Sequence, residues 1–362
     1  MKKKIIIGII CFVVILACWV LWYFLLWNKN VSRERNSWES NWEIHVLTSI
    51  DDEVVSDSMW CWTFQLVWND MVNEVVKQNI VFTPQIKIVE NLNKQTFTNK
   101  ELSPNSYYSK FWSLTLDLKD EIEKWIKEKF NESSDVLDKI DWSNAPQSNV
   151  YVFYAMLKKI FKFENVFDQL DAWKFADKYN GIKYFWIKKS SNSSLHNQVY
   201  VFYYNSEDDF AVALKTKEWE EVILARWIWW YSFMNIYDNL LKKEKNYEWK
   251  HYFTEDDFLK IPELNVKTLT EFDELENKEF PCWGLWNCKI KSALQTIELK
   301  LDKEWWEIKS EAVIVMETNM MRPKVEHRYF YFDKPYIMFL KEADKDLPYF
   351  AAQISDITLF QN

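Results

Sequence analysis

The second half of the chain contains a series of short apolar runs separated by charged or turn-forming residues. Between Gln198 and Ser355 these runs are QVYVFYY, FAVALK, FLKIPELNVKT, SALQTIELKL, EAVIVMET, YIMFLKEA and YFAAQIS. Their β-branched and aromatic content and their regular spacing are typical of strands joined directly to one another, without intervening helices. We therefore expect an α+β protein with large antiparallel or mixed β-sheets and helices packed around them.

The first half is more mixed. Apolar residues recur at helical spacing from Phe64 to Val76, which predicts an amphipathic helix packed on a core. The segment from Glu121 to Ile140 predicts a second helix, a polar break and a short helix. Asn79–Pro84 (NIVFTP) predicts a brief extended run, and VYVFYAML from Val150 predicts a strand buried on both faces.

Tight connections between strands usually contain glycine, because glycine adopts positive φ without steric cost. This chain has only 3 Gly but 22 Trp among its 362 residues, whereas glycine averages about 7% of residues in proteins. Trp305 and Trp306 stand side by side where a tight turn is expected. Other tryptophans at positions suited to glycine are Trp227, Trp229, Trp230, Trp249 and Trp283.

We hypothesise that most of these tryptophans are encoded by UGA codons that the source organism reads as glycine. The excess of Lys over Arg and the abundance of Asn, Ile, Phe and Tyr fit the AT-rich genome expected of such an organism. Trp68 and Trp142 are the exceptions that we expect to be genuine tryptophans. The alternative is a truly Trp-rich protein that binds aromatic ligands.

An apolar stretch near the N-terminus predicts a membrane anchor. Residues 5–27 are 23 residues without a charge, which is long enough to span the bilayer core and longer than a signal peptide's apolar run. Cleavage and lipidation at Cys18 is the alternative. The lysines before the stretch favour an N-terminus inside the cell. We expect an anchor at 1–27, a polar stalk at 28–57 and an extracytoplasmic domain at 58–362.

Charge and cysteine content limit the partners. The net charge is −9 and no basic patch is interleaved with aromatic residues, so nucleic acid is not an expected partner. Outside the cell, Cys282 and Cys288 could form a disulfide that leaves Cys61 unpaired. Three reduced thiols are the alternative.

The sequence lacks the patterns of common catalytic and cofactor sites. No metal-ligand spacing surrounds any histidine, and no nucleophile elbow or phosphate loop emerges even when Trp is replaced by Gly. Acidic pairs such as Asp256 and Asp257 are common at solvated helix starts. We therefore predict no enzymatic activity, no metal and no cofactor. The four histidines are His45, His196, His251 and His327.

Several segments, in order along the chain, resemble segments of the serpin family of protease inhibitors. NIVFTP is similar to NVFFSP of the family, and the helical segment after Glu121 is similar to the helix that crosses the main sheet. FLKIPELNVKTLTEFDEL, with Pro262 and Leu275, resembles LPKFKIESEYDL. RYFYFDKPYIMFLKEADKDLPYFAAQISDI resembles the closing strands of the family, with Tyr349 and Phe350 beginning the last strand.

The resemblance implies a reactive loop between two strands. LDKEWWEIKSEA resembles the family's hinge segment VDEKGTEAAA, with Glu304 at the hinge glutamate, Trp306 at the hinge glycine and Glu307 following it. Family spacing places the cleaved bond near Met320 and Met321, while the neighbouring Arg322 precedes Pro323. The implied partner is a serine or cysteine protease, of chymotrypsin or elastase type, and the implied oligomeric state is a monomer.

Two alternatives to an inhibitor remain open. Inhibition requires the cleaved loop to insert as a strand, and Glu307, Lys309 and Glu311 share one face of such a strand. The family register places Glu307 inward, where an unpaired charge is costly. The chain would then be a scaffold without the trap. In the other alternative, EAVIVMETNMM is a permanent strand paired with TIELKL of a surface binding or structural module.

Overall fold

The fold is known from a computed structural model, which describes residues 43–101, 107–114, 116–130, 137, 142, 147–160, 162–226, 231–282, 285–303 and 327–361. Residues Ile44–Asn362 belong to one compact unit. The strands are β1 His45–Leu47, β2 Ser58–Cys61, β3 Tyr107–Leu114, β4 Gln147–Ile160, β5 Asp168–Phe175, β6 Tyr179–Ile187, β7 Val199–Ser206, β8 Asp209–Lys215, β9 Glu220–Arg226, β10 Asp257–Pro262, β11 Leu264–Glu271, β12 Glu279–Cys282, β13 Leu285–Leu301, β14 Arg328–Tyr331, β15 Tyr336–Glu342 and β16 Phe350–Ile354.

The largest sheet has seven strands in the order β1-β2-β16-β15-β9-β8-β7. Its pairs are antiparallel except for β1 with β2. Every residue of β15 and β16 is buried, because both lie in the middle of the sheet and both faces are covered. This burial explains why the two strands read as nearly continuous apolar runs.

A five-stranded sheet has the order β11-β13-β4-β3, with β12 also pairing with β13. The outer pairs of this order, β11 with β13 and β4 with β3, are antiparallel, but the two central strands β4 and β13 run parallel. A four-stranded sheet has the order β14-β10-β6-β5, in which β14 and β10 are parallel. The segment that follows β13 is one of the connections between these two sheets; the others join β4 to β5 and β10 to β11.

Helices cover parts of these sheets. They are α1 Thr63–Asp70, which continues as a π-helix over Met71–Val76, then α2 Lys87–Leu92, α3 Leu116–Phe130 and α4 Phe233–Lys245. Short 3-10 helices cover Asn99–Glu101, Ser193–Gln198 and Ile357–Phe360. Helix α4 begins at Ser232, whose side chain accepts a hydrogen bond from the Asn235 backbone N–H, as is typical of an N-cap.

Two groups of buried apolar side chains form the core. The larger joins the seven-stranded and four-stranded sheets and includes Trp60, Phe210, Phe330 and Phe339. The smaller surrounds α1, the π-helix and the beginning of β13. Strand β13 contributes to both, so its burial ties the two parts of the core together.

The sequence-based strand predictions agree with the structure in most of the second half. QVYVFYY, FAVALK, SALQTIELKL, YIMFLKEA and YFAAQIS lie in β7, β8, β13, β15 and β16. FLKIPELNVKT divides into two strands, β10 and β11, which belong to different sheets. Helical structure over Phe64–Val76 is present, with the last turns in π geometry. The run EAVIVMET lies outside the described residues.

One expectation needs correction. The predicted stalk ends too late, because β1 begins at His45 and the residues after it, including Ile50 and Val54, are buried. Asn79–Pro84, predicted as a brief extended run, belongs to no helix and to no paired strand. The sheets are mixed, which is within the expectation of antiparallel or mixed sheets, since three strand pairs run parallel.

The predicted anchor at residues 1–27 lies outside the described residues. Within the described ranges, no helix combines the length and the apolar character needed to cross a membrane.

Candidate functional site

The segment between β13 and β14 connects two different sheets. Strand β13 ends at Leu301 in the five-stranded sheet, and β14 begins at Arg328 in the four-stranded sheet. Residues 304–326, called the connecting segment from here on, lie outside the described residues. They contain every residue assigned to the hinge and the reactive loop from the family resemblance, namely Glu304, Trp306, Glu307, Met320, Met321 and Arg322.

Both edges of β13 are occupied at its C-terminal end. Leu294–Leu301 pair with Glu271–Leu264 of β11, and Lys289–Lys300 pair with Val150–Ile160 of β4. A strand can pair with only one neighbour at each edge. The alternative in which EAVIVMETNMM is a permanent strand paired with TIELKL falls on residues outside the described ranges. On the described side of that pairing, both edges of Thr296–Lys300 are taken by β11 and β4.

The parallel pairing of β4 with β13 defines where an extra strand could enter the sheet. A chain that leaves the C-terminal end of β13 and folds back runs antiparallel to β13. Since β4 is parallel to β13, the returning chain would also be antiparallel to β4. Insertion would thus replace one parallel ladder by two antiparallel ladders, which are slightly more stable per residue.

Strand β13 is buried on both faces in its middle and on one face near its end. Residues 293–297 are all buried, and beyond them Leu299 and Leu301 are buried whereas Lys300 is exposed. Gln295 lies within the fully buried stretch, and its side-chain N–H groups donate to the Cys61 carbonyl at 3.0 Å and to Thr63 Oγ1 at 2.9 Å. Gln295 thereby links the five-stranded sheet to the junction between β2 and α1.

A buried ion pair anchors the chain directly after the connecting segment. The Arg328 guanidinium donates to both carboxylate oxygens of Asp257, at 2.8 and 2.7 Å, and both side chains are 2% exposed. It also donates to the carbonyls of Lys250 and Tyr252 at 2.9 Å each. Burial opposes the charge of Arg328, but the hydrogen bonds and charge of Asp257 outweigh it and raise the pKa of Arg328.

The cysteines outside the N-terminal stretch have two different roles. Cys282 and Cys288 form a disulfide across the β12–β13 hairpin, and both are buried. Cys61 is a buried free thiol beside Thr63 Oγ1, 3.3 Å away. Burial raises the pKa of Cys61 to about 11 despite that hydrogen bond. The thiol is therefore protonated at neutral pH and is a poor nucleophile.

The histidines are not gathered around a reactive group. Both ring nitrogens of His251 lie near backbone carbonyls, those of Val201 at 2.8 Å and Tyr247 at 3.1 Å. His327 Nδ1 lies 2.9 Å from the Asp256 carbonyl. In the part of the chain that the structure describes, no group of three or more His, Cys, Asp or Glu side chains could hold a metal ion.

Sequence reasoning missed two of these contacts. Gln295 and Thr63 are 232 positions apart, and Arg328 and Asp257 are 71 apart. A buried polar residue inside an apolar run was the available signal for Gln295. The position of Arg328, directly before an aromatic strand, was the available signal for that residue. Its partner Asp257 could not be identified from sequence spacing.

Comparisons with known proteins give the following similarities. No protein-family model matches the chain, and no curated protein matches it. Among solved structures, Serpin48 of the insect Tenebrio molitor is 13% identical with a TM-score of 0.39, over 77% of this chain and 72% of that one. Serpin-12 of Manduca sexta is 16% identical with a TM-score of 0.42, over 78% and 75%. Tengpin, a thermophilic serpin in its native state, is 12% identical with a TM-score of 0.45, over 69% and 73%.

All three are serpins, and the superpositions on them are partial, with TM-scores below 0.5.

Proposed function

We propose that this chain is a serpin-like protein whose connecting segment is bait for a serine or cysteine protease. The observation that carries the proposal is the parallel pair β4–β13 at the centre of the five-stranded sheet. The connecting segment leaves this sheet next to that pair and rejoins the molecule in another sheet at Arg328. Cleavage within the segment frees its N-terminal part to fold back between the two parallel strands.

The protease would be trapped as a covalent intermediate. Its nucleophile attacks the carbonyl of a peptide bond near Met320 and Met321, forms an ester or thioester, and releases the amine of the following residue. Insertion of the segment before water attacks that ester displaces the protease with the acyl bond intact. Methionine side chains at this position suit a protease with an apolar specificity pocket. The chain itself contributes no enzymatic activity.

A non-inhibitory scaffold is the second candidate, and the charges near the hinge favour it. Glu307, Lys309 and Glu311 share one face of an extended segment. If that face entered the sheet, burial of unpaired charges would be costly. The protein would then be cleaved without trapping its partner.

Incubation with chymotrypsin-type and elastase-type proteases separates these functions. An inhibitor gives a covalent complex that survives SDS, together with a cleaved form that has a higher thermal unfolding midpoint than the intact chain. A scaffold gives cleavage without a complex and without that rise. If none of these proteases cleaved the connecting segment, neither a protease substrate nor a protease inhibitor would be supported.

Variants within the connecting segment sharpen this experiment. Met320→Glu with Met321→Glu introduces charges that an apolar specificity pocket rejects, so complex formation and cleavage near these residues should be lost. Met316→Glu is the matched control in the same segment and should leave the site of cleavage unchanged. Glu307→Ala should increase the ratio of complex to cleaved protein if the charge at this position opposes insertion.

We also propose that the domain is monomeric and is displayed outside the cytoplasm on a single membrane anchor at residues 1–27. Two observations support this arrangement: the uncharged 23-residue stretch and the Cys282–Cys288 disulfide, a bond typical of oxidising compartments. Alkali-resistant membrane association in source cells, digestion of the domain by protease added to intact cells, and the mass of the purified domain by light scattering test it. Full release of the protein by alkali would contradict the anchor.

A further inference from the structure

The hairpin between β8 and β9 places a tryptophan where hairpins use glycine. The Thr216 N–H donates to the Glu220 carbonyl at 2.9 Å, which closes a loop of Lys217, Glu218 and Trp219. Trp219 has φ +61°, and the last residue of such three-residue loops adopts the left-handed conformation and is usually glycine.

The side chain of Trp219 gains little from this conformation, although its carbonyl accepts a hydrogen bond from the Ala343 N–H at 2.8 Å. A positive φ is unusual for a bulky residue, and the indole is 82% exposed. Among the described residues with positive φ, Trp219 is the only aromatic one; the other non-glycine residues are Asp57, Lys77, Gln95, Ala176, Asp177 and Asn277.

Trp173 occupies a second position suited to glycine. The pairing of β5 with β6 shifts register on both sides of Trp173, which lies opposite Ile182. Irregular pairing of this kind marks a bulge, where glycine is common. Trp173 is 55% exposed. Its ring lies 5.7 Å from Lys260 Nζ, but that ammonium already has an ion pair with Asp333 at 2.6 Å.

A third tryptophan has a buried polar atom without a partner. Trp186 is half-buried, and its indole N–H has no hydrogen-bond acceptor among the described residues. A buried donor without a partner destabilises the folded state, and buried Trp normally has a partner for its N–H.

Trp68 and Trp142 differ from Trp173, Trp186 and Trp219. The Trp68 indole donates to Asn93 Oδ1 at 3.3 Å, and the Trp142 indole donates to the Leu137 carbonyl at 2.7 Å. The fold therefore uses the polar atom of both side chains. These are the two tryptophans that the sequence pattern identified as genuine.

We propose that positions 173, 186 and 219 are glycine in the protein that its source organism makes, because UGA codons there are read as glycine, and that positions 68 and 142 are tryptophan. The proposal does not depend on the proposed protease inhibition. It also makes the left-handed turn at position 219 unstrained, since glycine adopts positive φ readily.

Peptide masses from the native protein test the assignment directly. Trypsin releases Glu218–Arg226, Phe163–Lys174 and Ile140–Lys158, each with a single tryptophan in the printed sequence. We expect the first two to be lighter by the mass difference between tryptophan and glycine, and the third to have its tryptophan mass. A tryptophan mass for Glu218–Arg226 would overturn the proposal. A glycine mass for Ile140–Lys158 would show that a hydrogen-bonded indole does not identify a genuine tryptophan.

Variants of the full chain, made from a synthetic gene, test the same assignment without native material. Trp219→Gly should raise the thermal unfolding midpoint, and Trp219→Ala should raise it less, because alanine retains a Cβ at positive φ. The matched control Trp142→Gly should lower the midpoint, since it removes a used indole. A lowered midpoint for Trp219→Gly would refute the proposal. If the printed chain does not fold, the peptide masses decide.

Discussion

At the scale of single residues, the protonation of Asp70 should make the free energy of unfolding depend on pH. It ends α1 where the helix changes to π geometry. Partial burial and, secondarily, the nearby Glu74 carboxylate raise the pKa of Asp70 to about 6. Since its unfolded pKa is about 3.9, the folded state binds the proton more tightly. Stability from this group therefore falls as pH rises from about 4 to about 6 and remains lower above that range.

The variant Asp70→Asn should remove this loss. We expect its free energy of unfolding at pH 7.5 to exceed that of the unmodified chain by about 1 kcal/mol, a value reduced from the full pKa shift because solvent screens a partly exposed group. At pH 4 the two proteins should be nearly equal. Urea titrations at both pH values measure the difference, and Glu74→Gln should give a smaller gain. An equal difference at both pH values would contradict the titration.

At the scale of elements, β14 depends on one buried ion pair. The strand has only four residues, and its described partner is β10. Arg328→Met would leave Asp257 as a buried charge without its cation, so we expect a loss of about 3–5 kcal/mol in the free energy of unfolding. In the Arg328→Met background, the further substitution Asp257→Asn should cost much less stability than Asp257→Asn alone. In that background it removes a buried charge that has already lost its cation. A double-mutant cycle measures this coupling, and additive losses would contradict it.

The elements also show what the sequence could and could not predict. Strands β7, β8, β13, β15 and β16 were predictable because burial requires apolar or β-branched runs that stand out from their surroundings. Strand β5 was not, because most of its residues are exposed and its composition is that of a loop.

The sequence could not predict which distant segments pair with each other, and this limited the prediction of both the fold and the candidate site. The parallel pairing of β4 with β13 joins segments more than a hundred positions apart, and local periodicity contains no information about distant partners. For the same reason, Gln295 and Thr63 could not be connected in advance. The hinge and loop assignments stay predictions, since residues 304–326 are not described.

At the scale of the whole molecule, Gln295 connects the five-stranded sheet to β2 and α1. Gln295→Met keeps the volume but leaves Thr63 Oγ1 and the Cys61 carbonyl without this donor, so we expect a loss of about 1–3 kcal/mol. We also expect faster hydrogen exchange along the β4–β13 ladder, because that ladder loses its tie to the core.

The matched control is Gln353→Met. Gln353 is also buried, and it accepts from the Asp57 backbone N–H at 2.6 Å and donates to Ser355 Oγ at 2.7 Å, within the seven-stranded sheet. Its loss should lower stability without a selective change in the β4–β13 ladder. Hydrogen exchange is measured by mass spectrometry. Identical exchange patterns in the two variants would contradict the idea that Gln295 specifically stabilises the β4–β13 ladder.

The place of β16 has a consequence for biosynthesis. This strand follows β15 along the chain, yet it lies between β2 and β15 in the sheet. Residues Cys61 and Phe350, which pair across β2 and β16, leave the ribosome at widely separated times. Contacts of such sequence separation form slowly. The nascent chain must therefore wait with the edges of β2 and β15 uncovered until β16 emerges, and a chain that stopped before Phe350 would lack the strand that closes this sheet.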